Sequence, residues 1–291
     1  MIYKLENEKI KVTASTYGGE LNSITEKLDN TEYLWNGDPA GWEYHAPVLF
    51  PVVGAVVDNK YRIDGTVYHI PKHGFARTLE FELVDQGPCY IVFRLNHSKH
   101  TLEVYPYRFT LQIKYTLDKG SVRVEYKVIN KDNKDIYFSI GAHPAFVCPR
   151  KDNETIDDYY FEFDSTENAR VMMLNAQGCL LRQKRAFLEN ACKINLTKET
   201  FAKDALIFEH LRSNRITLKS LKSEKIVTVE FGEFSFLGLW APVNGAKFIC
   251  IEPWNGHADY EDFTGEFRDK EDHYRLERGE ELILGYTISI E

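Results

Sequence analysis

Tyr107-Arg108-Phe109-Thr110-Leu111-Gln112-Ile113-Lys114-Tyr115-Thr116-Leu117 puts an apolar side chain at every second position and a polar one between. Period two over this length describes a strand with one buried and one wet face, because successive side chains leave a pleated chain on opposite sides. Asp118-Lys119-Gly120 supplies turn chemistry. The alternation then resumes as Val122, Val124, Tyr126 and Val128, with Arg123, Glu125 and Lys127 between them. The two segments predict a long antiparallel hairpin.

Working outward, the same grammar recurs in short runs at 9–15, 80–85, 90–96, 136–140, 159–164, 215–219, 226–231, 235–240, 248–251 and 282–289, separated by Gly, Asn, Asp and Pro. Strands spaced this way along a whole chain imply an all-β, sandwich-like architecture. Residues 198–203 alone suggest helix, for a turn or two. The 291 residues are 43% hydrophobic and carry no linker, low-complexity tract or fixed-period repeat, so one large β domain over 1–291 is expected.

Net charge is −8, with both signs interspersed, so no basic stripe invites nucleic acid or an anionic membrane surface. No apolar run approaches the ~18–20 residues that a helical membrane span requires. The first six residues, Met1 to Glu6, are already polar and do not read as a secretory leader. Cys89, Cys148, Cys179, Cys192 and Cys250 are odd in number and form no CxxC pair, which suggests neither zinc nor a disulfide framework. Isolated thiols with packing roles fit a cytoplasmic protein. Nothing in the sequence decides between monomer and homodimer.

Three clusters break the strand grammar: Pro71-Lys72-His73-Gly74-Phe75-Ala76-Arg77, Gly141-Ala142-His143-Pro144-Ala145-Phe146 and Ile251-Glu252-Pro253-Trp254-Asn255-Gly256. Each sets an ionisable side chain beside Gly or Pro and near an aromatic. Proline restricts the residue before it to extended backbone and removes one ladder donor, so His143 and Glu252 are expected at strand ends with free head groups. Phe75, Phe146 and Trp254 offer flat surfaces for the C–H faces of a sugar. Taken singly, each feature also reads as structure: a hydrogen-bonded histidine, a solvated rim glutamate, a core tryptophan.

Together, in this order, the clusters resemble a known family. Ala46-Pro47-Val48-Leu49-Phe50-Pro51-Val52-Val53-Gly54, His73-Gly74-Phe75-Ala76-Arg77, Phe138-Ser139-Ile140-Gly141-Ala142-His143-Pro144-Ala145-Phe146, Asp204-Ala205-Leu206-Ile207-Phe208 and Ile251-Glu252-Pro253-Trp254 are similar to aldose 1-epimerases (galactose mutarotase-like), closest to the LacX-type bacterial branch. The resemblance runs from about Tyr3 to the C-terminus. It implies a β-supersandwich and interconversion of α and β anomers of a small-molecule sugar, with no metal and no organic cofactor.

By that resemblance, His143 corresponds to the general acid at the ring oxygen and Glu252 to the general base at the C1 hydroxyl. His73 corresponds to a second histidine on the ring-oxygen side, Asp204 to a carboxylate for sugar hydroxyls, and Trp254 to a stacking wall. Relatives in this branch commonly carry arginine where this chain has His45 and Ala55. A guanidinium fork is lost at both positions. The loss argues against a phosphorylated substrate unless Lys72, Arg77 or Lys60 compensates in three dimensions, and His45 is expected to donate one hydrogen bond to the substrate. Three alternatives share the sequence features: a hexose-6-phosphate 1-epimerase, a non-catalytic sugar-binding protein, and a glycosidase using Glu252 and Asp204. The last leaves the two histidines without a role.

Overall fold

The computed structural model describes residues 1–291 and is built from antiparallel ladders. The hairpin that opened the sequence forms as Phe109–Asp118 and Ser121–Asn130, with Tyr115 opposite Val124 and Ile113 opposite Tyr126. The alternate apolar positions of 109–117 and 122–128 are buried, joined near the open end of the hairpin by Thr110 and Asn130. Lys119 turns the chain with a left-handed backbone.

The hairpin belongs to a 15-stranded sheet. From one edge the order is Val48–Leu49, Ile140–Ala142, Phe248–Asn255, Phe236–Trp240, Leu206–Glu209, Tyr159–Leu174 and Arg215–Ser220. It continues through Val227–Glu230, Glu281–Ile290, Ser121–Asn130, Phe109–Asp118 and Tyr90–Asn96 to Glu82–Gly87, while off this path Ala145–Val147 pairs with Phe248–Asn255 and Leu180–Asn195 with Tyr159–Leu174. A three-stranded meander, Ile2–Glu6, Ile10–Ser15 and Leu21–Glu26, and two small two-stranded sheets complete the layers. The main cluster of 67 buried residues draws on strands from Leu5 to Ile290. No helix is long and apolar enough to cross a membrane.

Three expectations are corrected. Residues 198–203 form turns, and the one α-helix is Lys99–Val104, capped by Ser98, whose hydroxyl accepts from the Thr101 N–H. The expected strand 136–140 is two strands in different sheets, Ile136–Phe138 and Ile140–Ala142. The expected strand 248–251 continues to Asn255, so Glu252 lies inside a strand rather than past its end. All five cysteines are free thiols; Cys148, Cys179 and Cys250 are packed in the interior, whereas Cys89 is exposed.

Candidate active site

Phe248–Asn255 is buried at all eight positions, because both of its faces are covered. Ile249 and Ile251 join the main core. Phe248, Cys250, Glu252 and Trp254 leave from the opposite side, where Glu252 and Trp254 line a cleft of about 740 Å³. That volume falls within the range for small-molecule sites.

Across from this glutamate strand, residues 140–147 run as two pieces interrupted at His143-Pro144. Both pieces keep one register: Gly141 faces Trp254 and Ala145 faces Cys250. His143 therefore falls opposite Glu252. Neither Pro144 nor Pro253 has an N–H for the ladder, so the break costs no orphaned donor at those residues. On its other side, the His143 N–H donates to the Pro47 carbonyl at 3.1 Å, which turns its backbone toward the 45–49 segment. The result is His143 Nε2 at 3.0 Å from Glu252 Oε2. The contact is close but not aligned as a hydrogen bond, and that oxygen, like His143 Nδ1, has no hydrogen-bond partner.

His73 completes the group, its ring centroid 5.5 Å from that of His143 and nearly perpendicular to it. It sits in left-handed backbone (φ 68°), followed by Gly74, where any Cβ would lie 2.2 Å from the Phe50 carbonyl oxygen. The Gly54 N–H donates to His73 Nδ1 at 3.1 Å. A backbone amide can only donate, so the neutral ring carries its proton on Nε2, as a donor.

Burial governs the charges. It pushes both histidines well below the usual imidazole range, with Lys72 and Arg77 adding to the effect. It pushes the Glu252 carboxyl well above its ordinary value, and Lys72 opposes that rise. Burial thus favours the uncharged forms of the opposed pair, a protonated carboxyl facing a neutral imidazole.

The glycines around Trp254 explain its position. A Cβ on Gly141 would meet its Cδ1 at 2.6 Å, and one on Gly238 its Cζ2 at 2.8 Å. Bare backbone on both neighbouring strands lets the indole spread across the sheet as the cleft floor. Its buried Nε1–H has no partner.

Of the other expected residues, Asp204 and Arg77 reach the cleft and His45 does not. Asp204 is exposed at the rim, and its Oδ1 accepts from the Ala205 N–H. The Arg77 guanidinium lies over the Tyr44 ring and donates to the Lys72 carbonyl. His45 is held elsewhere: Glu20 accepts its N–H at 2.7 Å and lies beside its ring, which Asn22 also touches. Its carbonyl accepts from Ala145, so it supports the His143 strand through backbone. Lys60 does not line the cleft, whereas Lys72 does. Phe75 and Phe146 are core side chains, against the expectation that they face a sugar. That surface comes instead from Trp42, Tyr44 and Trp240. Trp42 lies over the His143 ring at 4.8 Å. The aromatics of Trp42-Glu43-Tyr44, set in a Gly/Pro-rich loop with no strand pattern to bury them, were the signal available for these.

Residues 1–275 match the family described as Aldose 1-epimerase. Two proteins of Lactococcus lactis subsp. lactis, the plasmid and chromosomal forms of Protein LacX, are 36% identical over 269 residues, covering 88% of this chain and 88% of each of theirs. The solved structure of a galactose mutarotase related enzyme from Lactobacillus acidophilus superposes with a TM-score of 0.96 at 31% identity, covering 100% of this chain and 97% of that one. A galactose mutarotase-like protein from Lactobacillus casei gives 0.95 at 28% identity with full coverage of both chains. With this agreement over nearly the whole length in sequence and fold, the chain belongs to the aldose 1-epimerase family.

Proposed function

We propose that the protein is an aldose 1-epimerase acting in the cytoplasm as one domain over residues 1–291. The observation that carries this reading is the buried pair His143–Glu252, opposed at 3.0 Å in a cleft of sugar-binding size with His73 beside it. Anomer exchange passes through the open-chain aldehyde. One proton goes to the ring oxygen and another leaves the C1 hydroxyl; after rotation about C1–C2 the transfers reverse. In this assignment His143 is the acid at the ring oxygen and Glu252 the base at the C1 hydroxyl, while His73 Nε2–H donates to the ring-oxygen side. A sugar hydroxyl hydrogen-bonded to Glu252 stabilises the carboxylate and moves the carboxyl proton to His143, where ring opening uses it. Trp254 packs against the sugar, and Asp204 and Arg77 bind its hydroxyls.

Polarimetry on freshly dissolved α-D-glucose and α-D-galactose tests the reading. Faster equilibration with the intact protein, returning to the spontaneous rate in Glu252→Gln, is the expected result. No acceleration with any aldose or aldose phosphate would overturn it.

One observation favours a phosphorylated substrate within the same chemistry. Lys72 and Arg77 both line the cleft, and neither forms an ion pair there. Glu43 and Asp204 on the same rim oppose an anion. Exchange NMR on glucose 6-phosphate against glucose separates the two: preference for the phosphate that disappears in Lys72→Met supports the phosphosugar, and equal rates exclude it.

A further inference from the structure

Beneath the cleft, Lys270 and Asp259 form an ion pair at 2.5 Å with side chains 2% and 3% exposed. Stability alone does not account for it. Removing two charges from water costs several kcal/mol per ion, and apolar pairs of similar volume commonly serve packing as well or better.

The contacts of Asp259 show what the pair holds. Its Oδ2 accepts from the Val57 N–H at 3.0 Å, while its own N–H donates to the Ala55 carbonyl at 2.8 Å. The residue before it, Ala258, is pressed against Gly54, where any Cβ would lie 2.6–2.8 Å from Ala258 Cβ, Cα and N. Gly54 in turn makes both bonds that fix His73: its N–H donates to Nδ1, and its carbonyl accepts the His73 N–H at 2.9 Å. Lys270, Asp259, the 55–57 backbone, Gly54 and His73 thus form one chain of contacts.

We infer that Lys270 and Asp259 are positioning residues that hold Gly54 against His73 and so keep the His73 proton on Nε2, facing the sugar. Lys270 holds the Asp259 carboxylate pointing at Val57; Asp259 anchors residues 55–57; Gly54 then presents its amide to Nδ1. Without the lysine, the buried carboxylate lacks its countercharge, turns from the Val57 N–H toward water, and frees Gly54. The imidazole then populates both tautomers, and the fraction with its proton on Nδ1 has no donor toward the ring oxygen. The rate consequence rests on the epimerase reading; the tautomer consequence does not.

The test compares intact protein, Lys270→Met and Asp259→Asn/Lys270→Met, using kinetics and the 15N shifts of the His73 ring. In Lys270→Met, kcat falls by up to about 100-fold, as misplacement of a catalytic group does, with KM little changed. The Nδ1 and Nε2 shifts of His73 move toward each other as the tautomers mix. In the double variant, asparagine still accepts from Val57 with no charge left unpaired, so both readouts recover most of the way. Asp259→Ala replaces Lys270→Met if the latter does not fold. A folded single variant with intact kcat and unmixed shifts overturns the inference, as does one that loses only melting temperature. If the intact protein accelerates no sugar, the epimerase reading falls, and the nitrogen shifts still decide this one.

Discussion

The Phe109–Asn130 hairpin and the Phe248–Asn255 strand lie in the same sheet and obey opposite rules. In the hairpin the alternate apolar side chains of 109–117 and 122–128 face the core, the polar ones between Gln112 and Lys127 do not, and cross-strand register is unbroken. The glutamate strand has no wet face, carries a proline, and is paired on one side by a strand that stops and restarts at His143. Regular alternation builds rigidity. The interruption creates a pocket in which a carboxyl and an imidazole, held by register, meet without solvent. Cost and function therefore separate: hairpin residues stabilise the fold, while site residues are held against their own solvation.

That separation can be broken by exchanging effects. Glu252→Gln and His143→Asn are expected to lower kcat by about 10²–10⁴-fold each, since each removes one positioned acid or base. Their melting temperatures hold or rise, because Gln and Asn carry no buried ionisable group. A large loss of stability alongside the loss of rate would mean that the pair is structural. The converse is Leu111→Ala in the hairpin, where loss of a fully buried side chain costs about 2–5 kcal/mol in chemical denaturation. Its kcat, measured well below the unfolding transition, stays at the intact value.

Gly141→Ala sharpens the border between the two regions, since Gly141 is ordinary strand backbone apart from its neighbour. The new methyl meets Trp254 Cδ1 at 2.6 Å and displaces the indole. Overpacking of this kind costs about 1–3 kcal/mol. If the indole is the cleft floor, KM for the sugar rises and the tryptophan fluorescence shifts. A stability loss with unchanged KM would confine Trp254 to packing.

The same contrast explains what the sequence made legible. Period two exposed the hairpin because one face is wet. It gave 248–251 as a strand but not 252–255, because Glu252 and Pro253 look like a terminus and their burial comes from strands distant in sequence. His73, His143 and Glu252 were visible through their Gly and Pro neighbours, yet only pairing register brings His143 opposite Glu252. His45 misled because position along the chain does not say which way a ring turns, and Glu20 turns it away. Lys270 and Asp259 left no signal: eleven residues apart in a loop, they read as surface charges until the fold closes over them.

The smallest expected effect concerns the two regions' lysines. Lys127 lies on the wet face of the hairpin, paired with Glu281 at 2.7 Å and part-exposed, where solvent screens it. Lys72 lines the cleft, and its charge is the main influence opposing the burial-driven rise of the Glu252 carboxyl. Lys72→Met removes that opposition, so the carboxyl binds its proton more tightly still. A rate that requires the Glu252 carboxylate is then lost at higher pH on the acid side, and the acidic limb of the kcat/KM profile moves up. The alkaline limb moves the same way to the extent that it reports His143, whose imidazole Lys72 also pushes down. Lys127→Met leaves both limbs in place. If Lys72→Met leaves the profile unmoved, the lysine's charge is dissipated in solvent at the cleft mouth, and the low effective polarity assigned to the His143–Glu252 pocket does not extend to its rim.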